Sequence, residues 1–326
     1  MEGKYIGFDV SKQTFNVSFL GKNNKFTDKV FTFSDSDMEK MLENIGKEDI
    51  CVMEATGVYY LRLAYFLTEN GRKVSVVNPL IIRNYVRMKM KRTKTDKADA
   101  RLISQYGESE KPELWERKEL GILKIKNIYS IIESLQKELT VWKNKKEAAV
   151  QDKNFGKQEM NEINELIEYH SNKINKLEKE LEKHVKAEYP EEEKILKSIS
   201  GIGPKTTAVL IAITNAFRNF ENCRELISYV GLAPRIYDSG TSVKGKAHIC
   251  KLGMSDIRKL LYMCSISASK CNKYCKDLYD RLIAKGKPTK VALIAVANKL
   301  LRIAFGCIKN KTIFNANLVL NKVEMI

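Results

Sequence analysis

The sequence predicts an α/β domain at the N-terminus, a segment of long coiled-coil helices, and a mainly α C-terminal domain. Three observations carry this. Apolar residues at period two open the chain, a/d heptads run from Ile125 to His184, and beyond Ile195 apolar stretches of helical length flank a Gly-x-Gly-Pro turn.

The elements follow in order. Tyr5–Val10 reads as a buried strand, Phe15, Val17 and Phe19 mark a second, and Phe26 to Phe33 a third. Residues 36–45 read as a helix. Residues 49–57 form a fourth strand ending in a Gly turn. Residues 58–70 form an amphipathic helix closed by Asn70 and Gly71, and residues 73–79 a fifth strand stopped by Pro79. From Ile125 and Ile128 a heptad register leads to Leu139 and Trp142, and a second joins Met160 and Ile163 to Leu181 and His184. Between them Lys143–Lys157, with Gly156, reads as a loop or break. Two long helices packed as a hairpin or between subunits account for this segment, with Pro190 and three glutamates ending the second. Residues 222–231, 253–271 and 288–308 read as further helices. The expected boundaries are 1–116, 117–190 and 191–326.

With 326 residues and 44% hydrophobic content the chain can bury sizeable cores. The N-terminus lacks the charged segment and apolar core of a secretory signal, and no apolar run approaches the ~20 residues of a membrane span. Seven unevenly spread cysteines read as reduced cytosolic thiols. The net charge of +17 is concentrated. Residues 1–80 are near neutral, 81–105 carry +6, 106–194 carry −3 and 195–310 carry +14. A solvated surface would mix the signs, and a Lys-rich bias would have charged residues 1–80 as well, so two phosphate-binding regions are expected.

The basic run from Arg83 to Lys94 holds Arg83, Arg87, Lys89, Lys91, Arg92 and Lys94 and no acid, then Asp96 and Asp99 arrive three residues apart. On a helix they share one face. Asp9 follows apolar strand residues where a core strand prefers Val, and Glu54 ends the fourth strand in the same way. Two strand ends and one helix thus offer four carboxylates to one point. Such a cluster repels itself unless cations sit within it, and oxygen donors without His or Cys select Mg²⁺ or Mn²⁺. Taken singly, Asp9 could cap a turn, Asp96 could N-cap a helix and Asp99 could lie on the surface.

The strand order and the acids resemble the RNase H-like fold of RuvC-type nucleases. The stretches "YIGFDVSKQTFNV", "MEATGVYY", "VNP" and "KTDKADAR" are similar to the Asp-Glu-Asp-Asp insertion-sequence transposases guided by a bridge RNA. So are "SISGIGPKTTAVLIA", "YVGLAPRIYDSGTSVKGKAHICKLG" and "IRKLLY" in the C-terminal part. The resemblance spans most of the chain. It implies Asp9, Glu54, Asp96 and Asp99 as metal-binding acids, Mg²⁺ (or Mn²⁺) as cofactor, and an element-encoded non-coding RNA with donor and target DNA as partners. It also implies a homo-oligomer (a dimer, and a tetramer in the synaptic complex) in the prokaryotic cytoplasm, associated with the nucleoid and not with membrane. The rival reading is a Holliday-junction resolvase-like endonuclease that uses the same acids and water.

In "YDSGTSVKG" Ser239 precedes Gly240, and a Ser-Gly pair is ordinarily a turn. The resemblance makes Ser239 the attacking serine, which would hold the DNA end as a phosphoserine ester. Arg235, Lys244, Lys246, His248 and Lys251 surround it, with Arg258 and Lys259 beyond, as backbone contacts or a solvated basic loop. "SISGIGPKTTA" resembles a helix-hairpin-helix element, with Gly201 and Gly203 in the turn, Pro204 starting a helix whose N–H groups can meet a phosphate, and Lys205 adding charge. Cys264, Cys271 and Cys275 read as one helical stripe of buried thiols and not as a zinc site, since no Cys-x-x-Cys pair is present. His170 and His184 fall on heptad positions.

Overall fold

The computed structural model describes residues 3–20, 25–90, 95–117, 119–235, 238–239, 243–244, 248–249 and 253–315, the side chains of Arg235, Asp238, Ser239, Val243, Lys244 and His248 excepted. Two compact units result, Met1–Arg117 and Lys118–Ile326.

In the first unit β1 (Tyr5–Val10), β2 (Thr14–Leu20) and β3 (Phe26–Thr32) form an antiparallel meander, to which β4 (Ile50–Glu54) and β5 (Lys73–Val77) add in parallel. The strand order is β3-β2-β1-β4-β5. Helices α1 (Asp35–Glu43), α2 (Tyr59–Glu69), α3 (Pro79–Met88) and α4 (Asp96–Glu110) complete it. Strand periodicity separates two faces. Ile6, Phe8 and Val10 of β1, with Cys51 and Met53 of β4, pack with Met38 and Met41 of α1 and Leu63, Ala64 and Leu67 of α2. Val52 and Val77 face the other way, with Ile82 of α3 and Ile103 of α4.

The approach of α4 to the sheet fixes its direction. A Cβ on Gly107 would stand 2.8 Å from side-chain atoms of Tyr5 and Val52, and one on Gly7 would stand 2.0 Å from the Ala100 carbonyl oxygen. The Ser104 hydroxyl donates to the Tyr5 carbonyl at 2.7 Å. So α4 runs antiparallel to β1, and its first turn points toward the C-terminal ends of β1 and β4. Because backbone and not a movable side chain meets the added methyl, Gly7→Ala is expected to destabilise this unit by about 1–3 kcal/mol, read as a lowered urea midpoint.

Helix α3 adds to the expected elements, in which Pro79 only stops the fifth strand. Pro79 occupies the first helical position and the Asn78 side chain caps Leu80 N–H, so the residue that ends the strand also starts a helix.

In the second unit α5 (Leu120–Gln151) and α6 (Lys157–Glu188) form the hairpin. The break expected over Lys143–Lys157 is shorter. Ala148 and Ala149 continue α5 to Gln151, and only residues 152–156 lie outside helix. Pro190 again has a double role, ending α6 and opening α7 (Pro190–Lys197), whose first turn holds the three glutamates. Then come α8 (Pro204–Thr214), α9 (Cys223–Val230), the two-residue strands β6 (Pro234–Arg235), β7 (Asp238–Ser239), β8 (Val243–Lys244) and β9 (His248–Ile249), and α10 (Ser255–Cys271), α11 (Lys273–Ala284) and α12 (Thr289–Lys309). Ile125, Ile128 and Ile132 of α5 share one core with Ile174 and Leu181 of α6 and with α8, α9, α10 and α12.

Helix α12 is long and apolar enough to cross a membrane by length and composition, against the expectation from apolar runs. Its apolar residues are spent on the core, where Val296, Ala297, Leu300, Leu301 and Ala304 are buried. Helix α11 was not foreseen, and it divides the cysteine stripe. The chain leaves α10 at Cys271, Asn272 caps the Cys275 N–H, and Cys275 is buried on the next helix.

His170 is buried in the hairpin, its Nδ1 2.6 Å from the Leu166 carbonyl and its Nε2 2.9 Å from a Glu138 carboxylate oxygen. The bond to the Leu166 carbonyl, and then Glu138, favour the imidazolium and raise its pKa above the usual 6.5. A raised folded-state pKa contributes stability that is complete below the unfolded value and lost as pH rises through the folded one. Thermal melting is therefore expected to weaken as pH rises above about 6.5, and His170→Gln to remove that part of the slope.

Candidate active site

Asp9 and Glu54 occupy neighbouring positions at the C-terminal ends of adjacent parallel strands. The β1–β4 register pairs Tyr5 with Ile50, Gly7 with Val52 and Phe8 with Met53, which makes Asp9 and Glu54 the next pair along. Side chains alternate, so Asp9 lies on the face of Tyr5 and Gly7, and Glu54 on the face of Val52. That is the face covered by α4.

Helix α4 begins at the same end. Thr95 is its N-cap, accepting from Ala98 N–H at 3.3 Å, so the capping role weighed for Asp96 belongs to its neighbour. Asp96 and Asp99 stand in the first turn, Asp96 exposed and Asp99 half-buried. The helix start favours negative charge there. The helix is anchored across the sheet by Arg101, whose Nε lies 3.0 Å from both carboxylate oxygens of Asp28 on β3. Arg101 holds the Asp28 carboxyl below its usual pKa. No local sequence pattern marks either residue, nor Thr56, whose hydroxyl donates to Glu54 Oε1 at 2.8 Å.

Thus the fold brings Asp9, Glu54, Asp96 and Asp99 to one end of one face. Among the described residues, no three His, Cys, Asp or Glu side chains are grouped closely enough to hold a metal ion as they stand. The donor set itself is all oxygen, on two strand ends and one helical turn, and that chemistry fits a hard divalent cation. On the basic flank, Arg83 and Arg87 are exposed on α3, and Lys89 caps its end with Nζ 5.2 Å from the Tyr85 ring centre. Lys91, Arg92 and Lys94 lie outside the described residues.

Ser239 is in the second unit. Its backbone pairs with Val243, and Asp238 with Lys244, while outside this ladder Arg235 pairs with His248 and Pro234 with Ile249. Both ladders lie between α9 and α10 in the chain. Lys246 and Lys251 lie outside the described residues, as do the side chains of Ser239, Arg235, Lys244 and His248. Arg258 donates to the Val230 carbonyl at 3.0 Å.

The glycine turn splits into two roles. Gly201 has φ +105°, and a Cβ there would meet the Ala268 Cβ of α10 at 2.6 Å, so packing requires this glycine. A Cβ on Gly203, the N-cap of α8, would have nothing within 4 Å, so packing makes no such demand there. Lys205 points elsewhere than expected for a phosphate contact. Its ammonium bonds Glu133 at 2.8 Å and Gln136 at 2.9 Å on α5.

Residues 6–154 match an IS110-type DEDD transposase domain, and residues 193–280 match the Transposase IS116/IS110/IS902 family. A "Pilin gene-inverting protein" of Moraxella bovis is 30% identical over 325 residues, covering 97% of this chain and 98% of the relative. Its namesake in Moraxella lacunata matches to the same extent. An insertion element IS110 uncharacterized 43.6 kDa protein of Streptomyces coelicolor is 27% identical over 124 residues, 38% of this chain and 30% of the relative. An acid-bearing α/β unit joined to a basic helical unit, with transposase matches in both, defines a DNA transposase/recombinase enzyme. The chain belongs to the IS110/IS116 family of insertion-sequence transposases.

Proposed function

We propose that the chain is an RNA-guided recombinase that breaks and rejoins DNA through a covalent bond to Ser239, with Mg²⁺ held by Asp9, Glu54, Asp96 and Asp99 in an RNase H-like domain. The observation that carries this is the register of β1 against β4, which sets Asp9 beside Glu54 on the face where α4 starts with Asp96 and Asp99. The strand order β3-β2-β1-β4-β5, a three-strand meander extended by two parallel strands, agrees with that fold.

Divalent ions at such a set would favour the ionised serine oxygen and stabilise charge on the oxygen that leaves. Ser239 Oγ attacks the scissile phosphorus, one phosphorus–oxygen bond forms as another breaks, and the leaving strand takes the proton on its terminal oxygen. The phosphoserine ester retains the energy of the broken bond, so a second strand end displaces Ser239 without ATP. Arg83, Arg87 and Lys89 supply positive charge for the backbone beside the acids. The near full-length relatives are named for inverting a pilin gene. By extension this chain exchanges strands between two DNA sites, and pairing by a non-coding RNA selects them.

The test combines protein, element RNA, donor DNA and target DNA with Mg²⁺. Exchange that requires the RNA, and follows changes in its pairing loops to new targets, is the expected result. Equal exchange without RNA would overturn the guided part. Cleavage that leaves free ends and no protein adduct would favour the hydrolytic resolvase.

A further inference from the structure

Helices α11 and α12 carry an excess of cations. From Lys273 to Lys309 there are nine Lys or Arg and two acids. Lys299 and Arg302 stand three residues apart on α12, and α11, which carries Arg281, packs against that helix. Lys299 is half-buried beside Cys275. Burial pushes the Cys275 thiol up to about 12, so it is uncharged at neutral pH. Burial also lowers the Lys299 pKa. Cys275 opposes that shift, while the charges of Arg302 and Arg281 add to it.

Two other partly covered lysines of this unit are paired, Lys197 with Glu182 and Glu193, and Lys205 with Glu133. Among the described residues no ion pair engages Lys299, Arg302 or Arg281. Arg302 donates only to the neutral Asn298 side chain, at 2.9 Å. Asp277, one turn before Arg281, is exposed and makes no ion pair with it. A half-covered ammonium pressed by two guanidiniums costs stability unless an anion joins it.

We propose that Lys299, Arg302 and Arg281 form a binding site for the phosphate backbone of DNA, on elements other than those bearing the acids and Ser239. The guanidiniums suit phosphate oxygens in a forked geometry and the ammonium acts as a point charge. Such contacts hold DNA without reading its sequence. The site needs only that the protein acts on DNA, and stands apart from the RNA-guided serine mechanism.

The test measures binding of an unrelated duplex by fluorescence anisotropy at several salt concentrations. The triple variant Arg281→Gln, Lys299→Gln, Arg302→Gln is expected to bind about tenfold or more weakly, with the slope of log K against log salt reduced by about one to three. Lys173→Gln with Lys176→Gln, on acid-rich α6, should change neither. Lys299→Met gives a second reading, weaker DNA binding with a melting temperature unchanged or raised. A lowered melting temperature would make the lysine structural and overturn the site. If the triple variant does not fold, Arg281→Gln with Arg302→Gln carries the slope test. Unchanged affinity and slope, or a loss confined to an RNA of equal length, would also overturn it. Asp9→Ala should keep this binding, so failure here is separable from failure of the catalytic reading.

Discussion

Asp9→Ala or Asp99→Ala is expected to lower strand exchange by roughly 10³-fold or more if, as proposed, the four acids act as one catalytic group. Asp9 and Glu54 end adjacent parallel strands, and Asp99 stands in the first turn of the helix lying on them. If the four carboxylates share divalent ions, removing one weakens the charge at both the attacking and the leaving oxygen. DNA affinity should change little if, as proposed, the basic residues and not the acids meet the backbone. Single-turnover exchange with saturating DNA and Mg²⁺, beside far-UV circular dichroism, separates lost chemistry from lost fold. Exchange within tenfold of wild type would mean that the acids serve the fold alone.

If Ser239 is the nucleophile, as proposed, Ser239→Ala is expected to remove the covalent protein–DNA species and all exchange while the binding of DNA and of the proposed RNA stays in place. The substitution deletes one oxygen from a residue whose backbone pairs with Val243, so the ladder is retained. Denaturing gels of protein with end-labelled DNA read the adduct directly. If Ser239→Ala still cut DNA to free ends, water would be the nucleophile and the enzyme would be a hydrolase using the same acids.

Much of the first unit was legible because its signals are local. Short apolar runs, buried over consecutive residues, mark β1, β2, β4 and β5, and the polar Asp9 and Glu54 stand out against them. What escaped depended on residues with two roles. Pro79 and Pro190 each end one element and begin the next, and only the second role was hidden. Helix α11 was missed because Asn272 turns the chain between two runs of similar composition. The fate of Lys205 depended on Glu133, 72 residues away, and the anchoring of α4 on the Arg101–Asp28 pair, 73 apart. Neither pairing leaves a trace in local pattern. The serine needed the family resemblance, since a Ser-Gly pair is ordinarily a turn and has no signature of its own.

The proposed chemistry requires Asp9, Glu54 and Asp99 to converge on divalent ions at the strand ends. Crystals of the Ser239→Ala protein with DNA and Mn²⁺, measured for anomalous scattering at the manganese edge, test it most directly. The predicted map has a peak within about 2.0–2.5 Å of carboxylate oxygens from Asp9, Glu54 and Asp99. Peaks bound only elsewhere, with those three carboxylates turned away from every one of them, would contradict it.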